Sequence, residues 1–147
     1  MYAPNAPDPF SALFCKELLD SYGFSIHYFI DRDGVIFLSV PENFAAWHAG
    51  DRVDPPAKMP FLDDCRTGIN HFSIGIELIS DEVSGYTPPQ YQALHSLLNT
   101  LMRHPLQNLV THAAISPTRK SDPWNFDWEY FCGLGGNCLE QLRIGKS

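Results

Sequence analysis

With 147 residues, 44% of them apolar and 18% charged, the chain is long enough to bury one core and too apolar for a disordered tail. A formal net charge of -7 argues against a nucleic-acid partner, because a phosphate-tracking surface draws its affinity from clustered Lys and Arg. No apolar run reaches bilayer-spanning length, so no membrane segment is expected.

Residues 1–9 are rich in proline and should be irregular. They hold neither the basic region nor the apolar stretch of a secretory leader, so the cytosol is the expected compartment. The cell envelope is the alternative if a signal precedes Met1. Phe10, Leu13, Phe14, Leu18, Leu19 and Tyr22 recur at helical spacing and Gly23 follows as a stop, which predicts a first helix. Phe24–Asp31 reads as a strand, Arg32-Asp33-Gly34 as a turn and Val35–Val40 as the returning strand of a hairpin. From Pro41 to Ile69 the pattern is irregular and too long for a passive connector, so it should shape a binding surface.

Phe72–Ile79 reads as a central strand. Thr87-Pro-Pro-Gln90 combines an N-cap, a proline at the first helical position and a capping-box glutamine. The helix it opens should bury Tyr91, Leu94, Leu97, Leu98, Leu101 and Met102. Leu109–Ala113 is expected as a fourth strand, followed by a loop to about Asn125 and an aromatic segment, Phe126 to Phe131, that begins a last helix packed on the core. Cys15, Cys65, Cys132 and Cys138 form no C-x-x-C pair and read as reduced thiols; a Cys132–Cys138 disulfide would require export. The element order indicates one α/β domain over 1–147, a mixed central β-sheet flanked by helices.

Three segments carry candidate chemistry. His112 at a strand end and Asp122 ten residues on, across an irregular loop, can converge on one ion, since zinc accepts imidazole nitrogen and carboxylate oxygen. Lys120 sits two residues before that Asp, where it adds a fixed positive charge. From spacing alone, a strand-end His and a capping Asp is the plainer account. Glu77 is a carboxylate inside an otherwise apolar strand, costly to bury unless it is paired or has a task, such as taking a proton from water. A salt-bridged or edge-facing glutamate is the structural alternative. Gly75, two residues earlier, suggests that another group approaches the backbone closely. Ala46-Trp47-His48-Ala49-Gly50 places a tryptophan where it stacks on a sugar ring or, equally, anchors the long loop. His27 reads as a satisfied strand histidine, and His71, His95 and His104 as ordinary surface or helix positions.

Six blocks then occur in a familiar order: Ser25-Ile-His-Tyr-Phe-Ile-Asp-Arg-Asp-Gly34, Ala46-Trp-His-Ala-Gly50, Asn70-His-Phe-Ser-Ile-Gly-Ile-Glu-Leu78, Tyr86-Thr-Pro-Pro-Gln-Tyr91, His112 through Asp122-Pro123, and Phe126-Asp-Trp128. Together they resemble the AmpD-like branch of the N-acetylmuramoyl-L-alanine amidases, relatives of a phage lysozyme and of the peptidoglycan-recognition proteins. The resemblance implies a single zinc ion held by His112 and Asp122, Glu77 as the catalytic carboxylate and Lys120 as an active-site lysine. It also implies Trp47, His48 and Arg119 on the substrate, and a monomer acting on peptidoglycan or muramyl-peptide fragments. In the implied mechanism the metal polarises the lactyl carbonyl, Glu77 carries a proton from water to the leaving amine, and Lys120 steadies the oxyanion.

Two departures stand out. Family members carry a further zinc-ligand histidine on a strand before the first helix, and no His precedes His27 here. The chain is therefore expected to lack that N-terminal strand, with Met1 internal to a longer protein, and to hold zinc poorly on two protein ligands. A non-catalytic peptidoglycan-binding module with a degenerate metal site is the rival. The arginines that the branch places before its Ser-x-His strand and before the Asn of the Glu77 strand fall at Gly23 and Gly68, with Arg66 nearby.

Overall fold

The computed structural model describes residues 1–50, 68–101 and 109–135. Its elements are α1 (Ala12–Ser21), β1 (Tyr28–Ile30), β2 (Ile36–Leu38), β3 (Ile76–Leu78), α2 (Pro88–Leu101), α3 (His112–Ile115) and α4 (Trp128–Gly133), with a short 3-10 turn at Ile69–His71. The sheet order is β2-β1-β3. β1 runs antiparallel to β2 and parallel to β3, so the sheet is mixed, as expected.

The register sorts side chains by face. Tyr28, Ile30, Ile76 and Leu78 share one face and pack with Tyr91, Leu94, Leu97 and Leu98 of α2 and Phe131 of α4. Phe29 pairs with Glu77 on the other face, where Phe29, Ile26 and Ile79 pack under Cys15, Phe14 and Leu18 of α1. Leu13 and Tyr22, expected on the buried side of α1, are exposed. Met1 lies along the outer edge of β3: its amino nitrogen donates to Leu78 O (3.2 Å) and its carbonyl accepts from Ser80 N (2.8 Å).

Turn chemistry and caps place these pieces. Asp31 Oδ1 accepts from the backbone N–H groups of Asp33 (3.0 Å) and Val35 (2.9 Å), folding the hairpin. At Gly34, φ is 81°, and a Cβ would lie 2.6 Å from Pro89 O, so only glycine fits. The capping box of α2 forms as expected: Gln90 N donates to Thr87 Oγ1 (3.3 Å) and Thr87 N to Gln90 Oε1 (3.1 Å). Gln90 then does more, donating from Nε2 to Ile30 O (3.2 Å) and Ile79 O (2.9 Å), which ties α2 to the ends of β1 and β3.

Several expectations need correction. The strands at 24–31, 35–40 and 72–79 shorten to three residues each, because paired partners exist only over those stretches. Leu109–Ala113 is not a strand. Thr111 instead caps α3, its hydroxyl accepting from Ala114 N (3.0 Å), and two helix-forming alanines continue the turn. The last helix begins at Trp128, after Asp127 caps it through Tyr130 N (2.9 Å). Positions 51–67 of the long loop, with Cys65 and Arg66, lie outside the described residues, as do Met102, His104 and Cys138. Among the described residues, no helix is long and apolar enough to cross a membrane.

Candidate active site

His112 opens α3, and the chain returns to it through a tight loop. Ser116 O accepts from both Arg119 N (3.0 Å) and Lys120 N (2.8 Å), and Ala113 N then donates to Asp122 O (3.0 Å). These bonds bring Asp122 beside His112, with Nδ1 and Oδ2 3.1 Å apart and both side chains about a third exposed. Burial pushes the Asp122 carboxyl up, but the hydrogen bond and charge of His112, together with the charge of Lys120, hold it below its ordinary value. His112 and Asp122 are thus brought into contact, with exposed Lys120 two residues before Asp122 on the same loop. Arg119, expected on the substrate, is exposed and turns a guanidinium nitrogen onto Ser116 Oγ of its own loop (3.1 Å).

Glu77 is less buried than an apolar strand suggests. Its side chain is 28% exposed, and Oε1 lies 2.7 Å from the Met1 amino nitrogen. Tyr86, a residue given no role by the sequence, feels the charges of both Glu77 and Asp122. Burial, then the charges of Glu77 and Asp122, push its phenol above the usual range, so it stays a neutral hydroxyl. Its ring packs edge-on against Tyr91 and Phe126.

The Trp47 segment is stapled from both sides. Ser25 Oγ accepts from Trp47 N (2.9 Å), and Ser25 N donates to Trp47 O (3.1 Å). Buried Asn70 accepts from His48 N (3.1 Å) and Ala49 N (2.9 Å) through one oxygen. Trp47 is left 52% exposed, its ring edge-on to that of His71 at 6.3 Å. His48, expected on the substrate, has both ring nitrogens engaged by the protein: Nδ1 with Ala46 O (2.9 Å) and Nε2 with Ser73 Oγ (3.0 Å). Burial pulls its pKa down to about 4, with the charges of His27 and His112 acting the same way against the Ala46 carbonyl.

An imidazole nitrogen and a carboxylate oxygen in contact fit zinc in kind. They fall short in number, since among the described residues no group of three or more His, Cys, Asp and Glu is placed to hold a metal. His27 adds no donor: Nδ1 accepts from Gly75 N (3.0 Å) and Nε2 contacts Phe44 O (3.0 Å), which makes it the satisfied histidine expected.

Known amidases resemble this chain in sequence and fold. The 1,6-anhydro-N-acetylmuramyl-L-alanine amidase AmpD of Citrobacter freundii is 40% identical over 114 residues, covering 75% of this chain and 56% of its own length. A crystal structure of a selenomethionine AmpD derivative superposes with a TM-score of 0.64 at 40% identity, over 76% of this chain and 59% of that one. The Escherichia coli amidase AmiD, solved with anhydro-N-acetylmuramic acid-L-Ala-D-gamma-Glu-L-Lys, gives a TM-score of 0.60 at 30% identity, over 76% and 48%. The chain therefore spans little more than half the length of the curated relative it matches. The family described as N-acetylmuramoyl-L-alanine amidase matches residues 3–125, and this chain belongs to it.

Proposed function

We propose that the chain carries the groove of an amidase that hydrolyses the bond between N-acetylmuramic acid and L-alanine in muramyl peptides, as in the recycling of cell-wall fragments in the cytosol. The observation that carries this reading is the 3.1 Å contact of His112 Nδ1 with Asp122 Oδ2, under the charge of Lys120, in a chain of this family. The relatives' names and the muramyl peptide bound to AmiD support the substrate class.

His112 and Asp122 are the residues that would hold zinc. The chemistry such an ion supplies when bound is polarisation of the scissile carbonyl and acidification of a water. Glu77 takes the water's proton at a carboxylate oxygen as the water oxygen attacks the carbonyl carbon. It returns that proton to the alanine nitrogen as the C–N bond breaks, leaving a muramyl carboxylate and a free L-alanyl peptide. Lys120 stabilises the charge that builds on the carbonyl oxygen. Exposed Trp47 offers a flat apolar face to the sugar.

A second reading, a peptidoglycan-binding module without turnover, is favoured by one observation: among the described residues only two metal-type donors converge. Incubating the zinc-supplemented protein with an anhydromuramyl tripeptide and separating the products decides between them. Free L-alanyl peptide is the expected result. Saturable binding without release would favour the module, and neither binding nor release would overturn both readings.

A further inference from the structure

His27 and His48 both lie against Gly75, and both have each ring nitrogen engaged by the protein. Gly75 N–H donates to His27 Nδ1 (3.0 Å), so that nitrogen carries no hydrogen. The hydrogen sits on Nε2 and is donated to Phe44 O (3.0 Å). A single neutral tautomer thus joins the backbone leading into β3 to the segment that enters the Trp47 loop. His27 is 1% exposed, so water cannot stand in for either bond.

His48 completes the arrangement from within the loop. Its ring stands edge-on to His27, with centroids 5.4 Å apart at 74°. A Cβ built on Gly75 would lie 2.5 Å from His48 Cγ and 2.5 Å from Ile26 Cδ1, so the imidazole rests where only glycine leaves room. Its nitrogens bind Ala46 O and Ser73 Oγ, while its backbone N–H and that of Ala49 are held by Asn70. The loop therefore hangs on β3 through two rings, and Trp47 is the exposed side chain between its staples.

We propose that buried His27 and half-buried His48 form a latch that positions the exposed Trp47, setting how tightly the sugar end of a muramyl peptide is held. The binding half of this statement rests on the amidase reading of the groove; the latch itself does not. Both histidines are positioning residues, acting through the loop.

The test uses the full chain labelled with 15N. Trp47, Trp124 and Trp128 are the three tryptophans, so the indole N–H signals are few, and Trp47→Phe assigns the one that matters. In His27→Asn the side-chain oxygen reaches Gly75 N–H and cannot reach Phe44 O. That variant should still fold, with an unfolding midpoint somewhat lowered by the lost Phe44 bond. The Trp47 indole should lose order by heteronuclear NOE while the other two signals stay put. His48→Leu should do the same, and the double variant should loosen Trp47 no further than the worse single one, because the two rings act as a unit. Affinity for an anhydromuramyl tripeptide should fall by about tenfold in each. A Trp47 signal as ordered in both variants as in the wild type would overturn the latch. A loosened Trp47 with unchanged affinity would overturn its role in binding. If the wild-type protein bound no muramyl peptide, the amidase reading would fail, and the NOE comparison would still decide the latch.

Discussion

His48 and His112 differ in what surrounds their nitrogens, and this separates a positioning side chain from a candidate ligand. Both rings are partly buried, but His112 faces a carboxylate, whereas His48 has both nitrogens used by the protein. The burial of His48 has a consequence for stability. The folded protein holds the His48 pKa near 4, while the unfolded chain titrates near 6.5. Between those values the unfolded chain binds a proton that the native protein refuses, so stability should fall as pH drops from about 6.5 to about 4 and then level off. The loss is at most about 3 kcal/mol, and urea unfolding at a series of pH values would show it. In His48→Leu that part of the slope should vanish. At this scale the His112…Asp122 pair was legible only through the family resemblance, because unrelated His and Asp residues ten apart are common and spacing alone favoured a capping Asp. Ser25, Asn70 and Tyr86 were not legible, because their partners are backbone groups or distant charges that no local pattern displays.

The helices were easier to foresee than the strands, and α2 shows why. Thr87, Pro88 and Gln90 are local signals, and Tyr91, Leu94, Leu97 and Leu98 repeat at the period of the face they bury. The 109–113 segment failed for the opposite reason. Its Val and Thr favour a strand, but a strand needs a neighbour, and Thr111 with the Ala113–Ala114 pair could form a capped turn alone. The strand segments likewise read too long because beyond the paired residues only single backbone bonds continue, such as Ser39 N to His27 O (2.8 Å), and not a full ladder. The dual use of Gln90 gives a test at this level. Thr87→Ala removes one cap and should cost about 1 kcal/mol. Gln90→Met keeps the bulk but leaves Ile30 O, Ile79 O and Thr87 N without that partner, and should cost about 2 kcal/mol or more. Equal midpoints in chemical unfolding would show that the buried amide is not what ties α2 to the sheet.

Across the whole molecule, the sheet divides labour between its faces. One face is an apolar core under α2 and α4, and the other holds Phe29 beneath α1 with Glu77 beside it, paired to the Met1 amino group. The loops that follow carry what the sheet cannot: Trp47 on its staples, Lys120 and Asp122 on the return from α3. The central claim is that Glu77 moves the proton while His112 and Asp122 hold the metal. The most direct measurement is release of L-alanyl peptide from an anhydromuramyl tripeptide by zinc-supplemented protein, with bound zinc assayed on the same samples. Glu77→Gln preserves size and hydrogen bonding but removes the proton acceptor, so turnover should drop roughly 100-fold or more while the zinc content stays at the wild-type level. His112→Ala should lose the metal and the activity together. Near-full turnover in Glu77→Gln, or wild-type zinc content in His112→Ala, would contradict the account.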